Sequence, residues 1–360
     1  MKFSLHRERP LIGLDIGTSA VKAVELRARK KNKQTVYEVL RIGYELLPRD
    51  SIVEGTIIDT AAVADAIRSV LDKAKIVGRD MVISVSGNSV IIKKISLPSM
   101  ESEELAESVI WEAKHSIPYP YDETYVDYSI LRPAQPGEDQ NIEILLVAAK
   151  KEKINAYANV IRQARKSLVA VEVDAFALHN ALEINYPDEF RDRIIALVNI
   201  GAAITTIVVS ERGAPQMFRD LPMGGATFVE NIRKEINVGV EEAERLLKGN
   251  APSPVPDYEI EAVLSVSLKE LLDEIEKTFT FFEAEDKANK KIEEIHLAGG
   301  LSGLKNIGAA FEQKFGLKPI LFDPFRRVVY NEKKLNPAYY QEMAPIFGVA
   351  TGLATRFREK

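Results

Sequence analysis

The chain has 360 residues, of which 46% are hydrophobic and 28% charged, and its formal net charge is −5. This length allows two domains of ordinary size, and the acidic balance argues against nucleic acid as a partner. Cysteine is absent, which excludes disulfides, thiolate catalysis and zinc–sulfur sites and favours a reducing cytoplasm. The first ten residues lack the apolar core of a secretory signal, and the uncharged run 194–210 is too short and too interrupted to span a membrane.

The first predicted element is a hairpin. In Leu11-Ile-Gly-Leu-Asp-Ile-Gly-Thr-Ser-Ala-Val-Lys22 an apolar run leads to Asp and Ile-Gly, then to small residues and an alternating run, a pattern typical of strand, tight turn and strand. A further strand is predicted near 36–47. Apolar residues at helical spacing then predict a helix over 60–74, capped by Asp59 or Thr60.

A compact insertion is predicted over 87–168. Its pattern gives a strand near 90–97, a helix over 102–115, strands near 125–131 and 142–149 joined by the loop 132–141, and a helix over 151–166. The segment also concentrates aromatic residues, which serve either a partner interface or the core of a small subdomain, and both interpretations stay open. These residues are Trp111, Tyr119, Tyr121, Tyr125 and Tyr128.

The hairpin phrase returns as Ile195-Ala-Leu-Val-Asn-Ile-Gly-Ala-Ala-Ile-Thr-Thr206, with Asp15 and Asn199 separated by 199 − 15 = 184 positions. Gly17 and Gly201 permit backbone angles closed to other residues and leave no side chain between the peptide groups and a ligand. Such turns point N–H groups into a concavity that suits a phosphate. Two matching copies predict a duplicated domain in which both turns face one nucleotide.

The remaining pattern is mainly helical. A helix is predicted after Gly224-Gly225, followed by a helical region from 230 to 290 that the loop 250–256 interrupts. The last helix of that region has an apolar face interpreted as core packing, formed by Leu268, Leu271, Leu272, Ile275, Phe279 and Phe282. A strand over 295–297, the pair Gly299-Gly300 and an Ala/Gly-rich helix over 344–357 complete the predicted elements.

Five segments resemble, in order, the motifs of the actin-like ATPase superfamily. They correspond to the first phosphate motif, first connecting helix, second phosphate motif, adenosine motif and second connecting helix: Gly13–Thr18, Val171–Leu178, Val198–Thr205, Ile295–Ser302 and Gly348–Ala354. The resemblance implies an α/β fold, the actin-like (duplicated ribonuclease-H-like) ATPase fold. The position of the insertion, in the first half before the connecting helix, is similar to that of the FtsA/PilM branch. The segments Leu97–Glu101 and Ile110–Tyr119 also resemble the PilM family of type IV pilus assembly proteins.

This resemblance implies four subdomains. The first core subdomain takes 1–86, 169–193 and 336–360, and the inserted, partner-binding subdomain takes 87–168. The second core subdomain takes 194–229 and 291–335, and a helical, nucleotide-clamping subdomain takes 230–290.

The resemblance also implies a site for ATP and Mg²⁺. Asp15 is expected to hold Mg²⁺ through water, with Asn199 at the matching position of the second hairpin, and Asp174 to orient the attacking water. A helix-capping role for Asp174 and a solvated surface role for Lys22 stay open. The residues expected to contact the nucleotide are Gly17, Thr18, Ser19, Lys22, Asn199, Gly201, Ala202, Ala203, Thr205, Glu244, Lys248, Gly299, Gly300 and Ser302. At Gly299 and Gly300 a Cβ atom is expected to collide with the adenosine.

Departures from the motifs predict slow or absent hydrolysis, at most a weak ATPase. Asn199 stands where the second phosphate motif normally has Asp, so the negative charge for Mg²⁺ and water is missing there. Ala202-Ala203 occupy positions where glycine is common, and Lys248 lies one residue beyond the position of the adenine-clamping lysine.

The implied function is that of a cytoplasmic ATP-binding component of the type IV pilus machine, peripheral to the inner membrane through a protein. Its implied partner is the cytoplasmic N-terminal peptide of PilN, bound between the first subdomain and the insertion. Other inner-membrane pilus components, pilus motor ATPases and self-association stay open as further contacts, whereas nucleic acid and a direct membrane span are not expected. Two alternatives are an FtsA-like filament protein and a small-molecule kinase of the sugar-kinase branch.

Overall fold

Two β-sheets built on the same plan form the centre of the molecule. The computed structural model describes residues 11–31, 34–132, 141–249, 255–285, 290–330 and 337–356. The first sheet has the strand order β10-β6-β1-β2-β3-β16. Its strands are β1 (Ile12–Ile16), β2 (Ala20–Lys31), β3 (Gln34–Leu46), β6 (Asp80–Val85), β10 (Ser167–Val173) and β16 (Val329–Tyr330). The short strands β4 (Ile52–Val53) and β5 (Thr56–Ile57) pair with each other beside it.

The second sheet has the strand order β13-β12-β11-β14-β15. Its strands are β11 (Ile194–Ile200), β12 (Thr205–Glu211), β13 (Ala214–Leu221), β14 (Glu294–Ala298) and β15 (Ile320–Leu321). In both sheets an antiparallel hairpin comes first, and a later strand pairs in parallel with the first strand of that hairpin. The duplication predicted from the repeated phrase is therefore confirmed at the level of strand pairing.

Two helices lie between the sheets. They are α4 (Asp174–Asn185) and α11 (Gly348–Ala354), and their apolar residues share one core with residues of both sheets. The helices approach so closely that a Cβ atom on Gly352 would lie 1.7 Å from the carbonyl oxygen of Ala177. Only glycine fits there. The predicted terminal helix over 344–357 begins instead as a 3₁₀ turn, Ala344–Phe347, and α11 ends at Ala354.

On its other face the first sheet is covered by α1 (Thr60–Lys73) and α3 (Lys151–Gln163), which fill one core with its strands. Asp59 caps α1 by accepting a hydrogen bond from the Ala62 N–H, as one of the two predicted alternatives requires. A separate three-stranded sheet, ordered β7-β9-β8, carries α2 on one face. Its elements are β7 (Val90–Pro98), α2 (Ser102–Ser116), β8 (Thr124–Arg132) and β9 (Asn141–Lys150).

Helices cover the second sheet, and one of them carries the apolar face predicted from the sequence. All six residues of this face, on α8, are buried in the core of this half, which confirms the packing interpretation. The helices here are α6 (Gly225–Ile236), α7 (Val240–Leu247), α8 (Asp257–Glu285) and α9 (Ile307–Phe315), and the remaining two are α5 (Pro187–Asp192) and α10 (Pro337–Met343). In the part of the chain that the structure describes, no helix is long and apolar enough to cross a membrane.

Parts of several predicted segments lie outside the described residues. They are most of the loops 132–141 and 250–256 and the outer ends of the segments 1–86 and 336–360. The four subdomain boundaries stay a prediction.

Candidate nucleotide-binding site

The two hairpin turns have the same backbone geometry. The Gly17 N–H donates to the Ala20 carbonyl at 3.1 Å, and the Gly201 N–H donates to the Ile204 carbonyl at 2.9 Å. Neither glycine uses the positive φ that glycine permits. The requirement is one of space. A Cβ atom would lie 3.2 Å from the Ala20 oxygen at Gly17, and 2.8 Å from the Ile204 oxygen at Gly201.

A charged pair stands at the first turn. Asp15 of β1 lies opposite Lys22 of β2, and the Lys22 Nζ donates to the Asp15 Oδ2 at 2.9 Å. The side chains are 18% (Lys22) and 12% (Asp15) exposed. Burial by itself lowers the pKa of Lys22, but the charge and hydrogen bond of Asp15 outweigh it, so the pKa lies above its ordinary value. Lys22 is therefore a cation in a largely desolvated place, unlike the solvated surface charge that sequence reasoning left open.

The second turn lacks this pair. Asn199 of β11 lies opposite Thr206 of β12, in the register that Asp15 and Lys22 occupy in the first hairpin. Thr206 Oγ1 donates to the Asp220 Oδ1 at 2.8 Å. Thr205 is fully buried and its hydroxyl donates to the Met223 carbonyl, so its side chain is occupied within the protein. Only the first hairpin supplies both a cation and an anion.

The carbonyl groups of the second turn point toward α6. The Gly201 carbonyl accepts from the Gly225 N–H at 3.0 Å, and the Ala202 carbonyl accepts from the Ala226 N–H at 2.7 Å. Because the N–H and C=O of one trans peptide point in opposite directions, the N–H groups of Ala202 and Ala203 point away from α6. These two donors can bind an anion. In the first turn Thr18 is partly exposed, Ser19 is exposed, and the Ser19 carbonyl accepts from the Leu47 N–H.

Asp174 begins α4, at the point where β10 ends. Burial and, next, the charge of the nearby Asp15 raise the pKa of its carboxyl to about 6, against hydrogen bonds from Ser84 and Ser86 that lower it. Asp174 thus lies close to Asp15, as the predicted site requires. A carboxyl that titrates near neutrality can accept a proton at physiological pH.

The two glycines of the loop after β14 have different surroundings. Gly299 has a φ of +87°, and a Cβ atom there would lie 2.3 Å from the Ile200 carbonyl oxygen. The protein's own backbone therefore excludes a Cβ at Gly299 even without a ligand, and the adenosine contact there stays a prediction. Gly300 faces open space, with nothing within 4 Å of a Cβ atom. Ser302 closes the turn by donating its hydroxyl to the Gly299 carbonyl at 2.7 Å.

Glu244 and Lys248 lie on and just after α7. The Glu244 carboxylate forms an ion pair with Arg49 at 3.0 Å, with both side chains exposed by more than 40%. Arg49 belongs to the loop after β3, so this contact joins the helical region to the first half of the chain. Lys248 is the C-cap of α7, with an exposed side chain. An exposed pair of this kind is weak and can open for a ligand.

Two residues in this region were missed by sequence reasoning. The Asp220 carboxylate on β13 accepts from the Gly87 N–H at 2.7 Å as well as from Thr206, and so links the two halves. Lys153 of α3 donates to the Ser86 carbonyl at 2.7 Å. Burial lowers the pKa of Lys153, while Asp174 and Asp220 favour its charged form. Asp220 could have been found from its position just before Gly224-Gly225, whereas nothing distinguishes Lys153 from the lysines beside it.

Within the described ranges, no group of three or more His, Asp or Glu side chains is arranged to hold a metal ion. Asp15 supplies the single carboxylate of the two hairpin turns. This donor set fits an ion that keeps most of its water, as Mg²⁺ does.

Comparison with known proteins identifies the family. The model of the type IV pilus assembly protein PilM family matches residues 13–358. The chain belongs to this family. A solved PilM-PilN type IV pilus biogenesis complex contains a chain that is 28% identical, with a TM-score of 0.85, covering 98% of this chain and 100% of that one. This confirms the resemblance to the PilM family drawn from the position of the insertion and from the segments 97–101 and 110–119.

More distant relatives agree on the fold. The cell division protein FtsA of Bacillus subtilis (strain 168) is 24% identical over 310 residues, which is 79% of this PilM-family chain and 67% of FtsA. MreB5 of Spiroplasma citri, solved bound to ADP, is 16% identical with a TM-score of 0.51, covering 96% of this chain and 94% of MreB5. The predicted actin-like ATPase fold is confirmed.

Proposed function

We propose that this PilM-family protein binds one ATP with Mg²⁺ between the two hairpin turns. One observation carries the proposal: the turns have matching hydrogen bonds and registers, and one of them holds a desolvated Lys–Asp pair beside Asp174. Lys22 and the N–H groups of both turns are the groups that would bind phosphates, and Asp15 would hold hydrated Mg²⁺ with Asn199 opposite. That MreB5 is solved with ADP supports this use of the fold.

The adenosine end of the site is testable at Gly300. Because a Cβ atom there meets open space and φ is not positive, Gly300→Val should fold normally while its side chain fills the space proposed for adenosine. Calorimetric titration of ATP with Mg²⁺ should show binding to the wild type and none to this variant. Gly308→Val, on α9, is the control, since a Cβ there makes an ordinary contact with Pro319 at 4.0 Å. Unchanged ATP affinity in Gly300→Val would exclude this assignment.

Hydrolysis is proposed to be slow. Bound Mg²⁺ supplies charge for the transferring phosphoryl group, and the protein adds Lys22, turn N–H groups and the proton acceptor Asp174. Asn199 brings no charge where Asp15 has one in the first hairpin, so water near the second turn is weakly polarised. Below about pH 6 Asp174 carries its own proton and cannot accept another, so any hydrolysis should fall as the pH drops through 6.

We propose further that the partner is the N-terminal peptide of a PilN protein, at the inner membrane. The support is the solved PilM-PilN complex, whose matching chain is 28% identical to this one. We place the groove for an extended peptide between β8, an edge strand of the insertion sheet, and β10, an edge strand of the first sheet. Burial raises the pKa of Glu172 on β10, and the charge of Asp127 on β8 raises it as well, so the two strands lie near each other. Unpaired strand edges can bind an added strand through main-chain hydrogen bonds.

The groove is tested by a charge change at its wall. Asp127→Lys should weaken binding of a PilN N-terminal peptide by at least about tenfold, roughly 1.4 kcal/mol, because a long cation then occupies the groove. Glu107→Lys, on the exposed face of α2, makes the same charge change elsewhere on the insertion and should leave the affinity unchanged. Fluorescence anisotropy with a labelled peptide measures both. Equal affinity in the two variants would move the peptide out of this groove.

A further inference from the structure

The topology collects several chain segments at one end of the first sheet. The strands β1, β6 and β10 run parallel, so their first residues lie at the same end. The β2–β3 hairpin extends past this end, because Ile12 at the start of β1 lies opposite Glu25 while the ladder continues to Lys31. The helices α1 and α3 also end there, since each leads directly into a parallel strand. The hairpin turn at Gly17, and with it the candidate nucleotide site, is at the opposite end.

This end is lined by cations. Five exposed basic side chains lie on these segments, and none of them forms an ion pair with another residue that the structure describes. Together with Val77 they define the basic end: Lys30, Lys75, Arg79, Arg162 and Arg165. Asp72 is an exposed carboxylate close by, near Lys166. The whole chain has a net charge of −5, so these five cations differ in sign from its average charge.

A protruding apolar side chain stands among these cations. Val77 is 88% exposed, the highest value among the large exposed apolar side chains of the described residues. Its loop is held firmly: the Ile76 N–H donates to the Leu71 carbonyl at 2.8 Å, and Arg41 Nε donates to the Lys75 carbonyl at 2.9 Å. The Ser167 N–H donates to the Arg79 carbonyl at 2.9 Å on the far side of the loop. Val77 is therefore presented to the exterior by a fixed backbone.

We propose that the basic end docks on the surface of an anionic lipid bilayer. Clustered Lys and Arg side chains are attracted to anionic headgroups, and an apolar side chain projecting from the same surface enters the headgroup region. Cations are favoured at the C-terminal ends of helices, where they offset the helix dipole, and this explains Arg162 on α3. It does not explain Lys30, which lies on β2, or Arg79, which precedes β6. A polyanion such as nucleic acid would bind the cations but gain nothing from Val77. In this orientation the candidate nucleotide site faces away from the bilayer.

Vesicle co-sedimentation of the full chain tests the proposal, without nucleotide or partner peptide. Vesicles with about one third phosphatidylglycerol in phosphatidylcholine should bind the protein, and pure phosphatidylcholine vesicles should not. The variant Lys30→Gln, Arg79→Gln, Arg165→Gln should bind at least about tenfold more weakly. The control variant Lys269→Gln, Lys291→Gln, Lys318→Gln removes three exposed cations from the second half of the chain and should bind like the wild type.

The apolar contact has its own pair of variants. Val77→Asp should weaken vesicle binding several-fold, whereas Val266→Asp, at a position 59% exposed on α8, should not. Absence of binding to anionic vesicles, or equal losses in both triple variants, would overturn the proposal. Heparin binding as tight as vesicle binding, together with an unaffected Val77→Asp, would show instead a general polyanion surface and would equally overturn it.

Discussion

The buried carboxyl of Asp174 predicts a specific dependence of stability on pH. Its pKa rises from 3.8 to about 6, chiefly through burial. Because the folded-state value is the higher one, the proton stabilises the folded protein fully below pH 3.8. That stabilisation is lost as the pH rises through 6. The full loss is about 3 kcal/mol, from a shift of about 2 units at 1.36 kcal/mol each. Between pH 5 and pH 8 linkage gives a loss of about 1 kcal/mol.

Asp174→Asn removes this titration and keeps an amide that can meet Ser84 and Ser86. The variant should be more stable than the wild type at pH 8, and its advantage should be about 1 kcal/mol smaller at pH 5. Urea denaturation of both proteins at the two pH values, without ligand, measures the difference. Asp122→Asn, an exposed position on the insertion, serves as the control. A stability difference that is the same at both pH values, or larger at pH 5, would refute the assignment of a raised pKa to Asp174.

Further predictions follow from the same site. Asn199→Asp should raise Mg²⁺-dependent ATP turnover by about tenfold, roughly 1.4 kcal/mol of barrier, and a fast wild-type enzyme that this change leaves untouched would contradict it. In the Lys153→Met background, Asp174→Asn should gain more stability at pH 8 than it gains in the wild type, because loss of a nearby cation raises the pKa of Asp174 further. A smaller gain would show that Lys153 does not act on Asp174. Deleting residues 90–150, which removes the insertion sheet and α2 but leaves α3 in the core of the first sheet, should abolish PilN-peptide binding while ATP still binds, and retained peptide binding would move the interface. In the intact protein, calorimetry should give this binding a negative heat-capacity change, since apolar side chains are buried.

The hairpins were predictable because their information is local. An apolar run, a tight turn and an alternating run leave few structures, and a spacing of seven residues across the turn places Asp15 opposite Lys22. The repetition of the phrase then predicted the second sheet. The short strand β15 and helix α9 were not predicted. A strand of two residues such as β15 has no detectable period and depends on its pairing with β14.

The missed parts of the site depend on packing between distant segments. Asp220 meets Gly87 only because β13 lies at the edge of the second sheet beside the start of the insertion, 133 positions away in sequence. The requirement for glycine at position 299 likewise depends on a distant segment, because the backbone of Ile200 leaves no room for a Cβ atom there. The basic end was hidden by the net charge of −5, which averages over surfaces that face in opposite directions.

The roles proposed for Lys22, Asp15 and Asp174 all require that the two hairpin turns bind one nucleotide between them. Isothermal titration of ATP with Mg²⁺ into the purified protein tests it directly. We expect one ATP per chain, with affinity reduced by Lys22→Met in the first hairpin and abolished by Gly300→Val after β14, although these residues belong to different sheets. Two ATP molecules per chain, or a loss confined to one of two independent binding steps in each variant, would contradict the shared site.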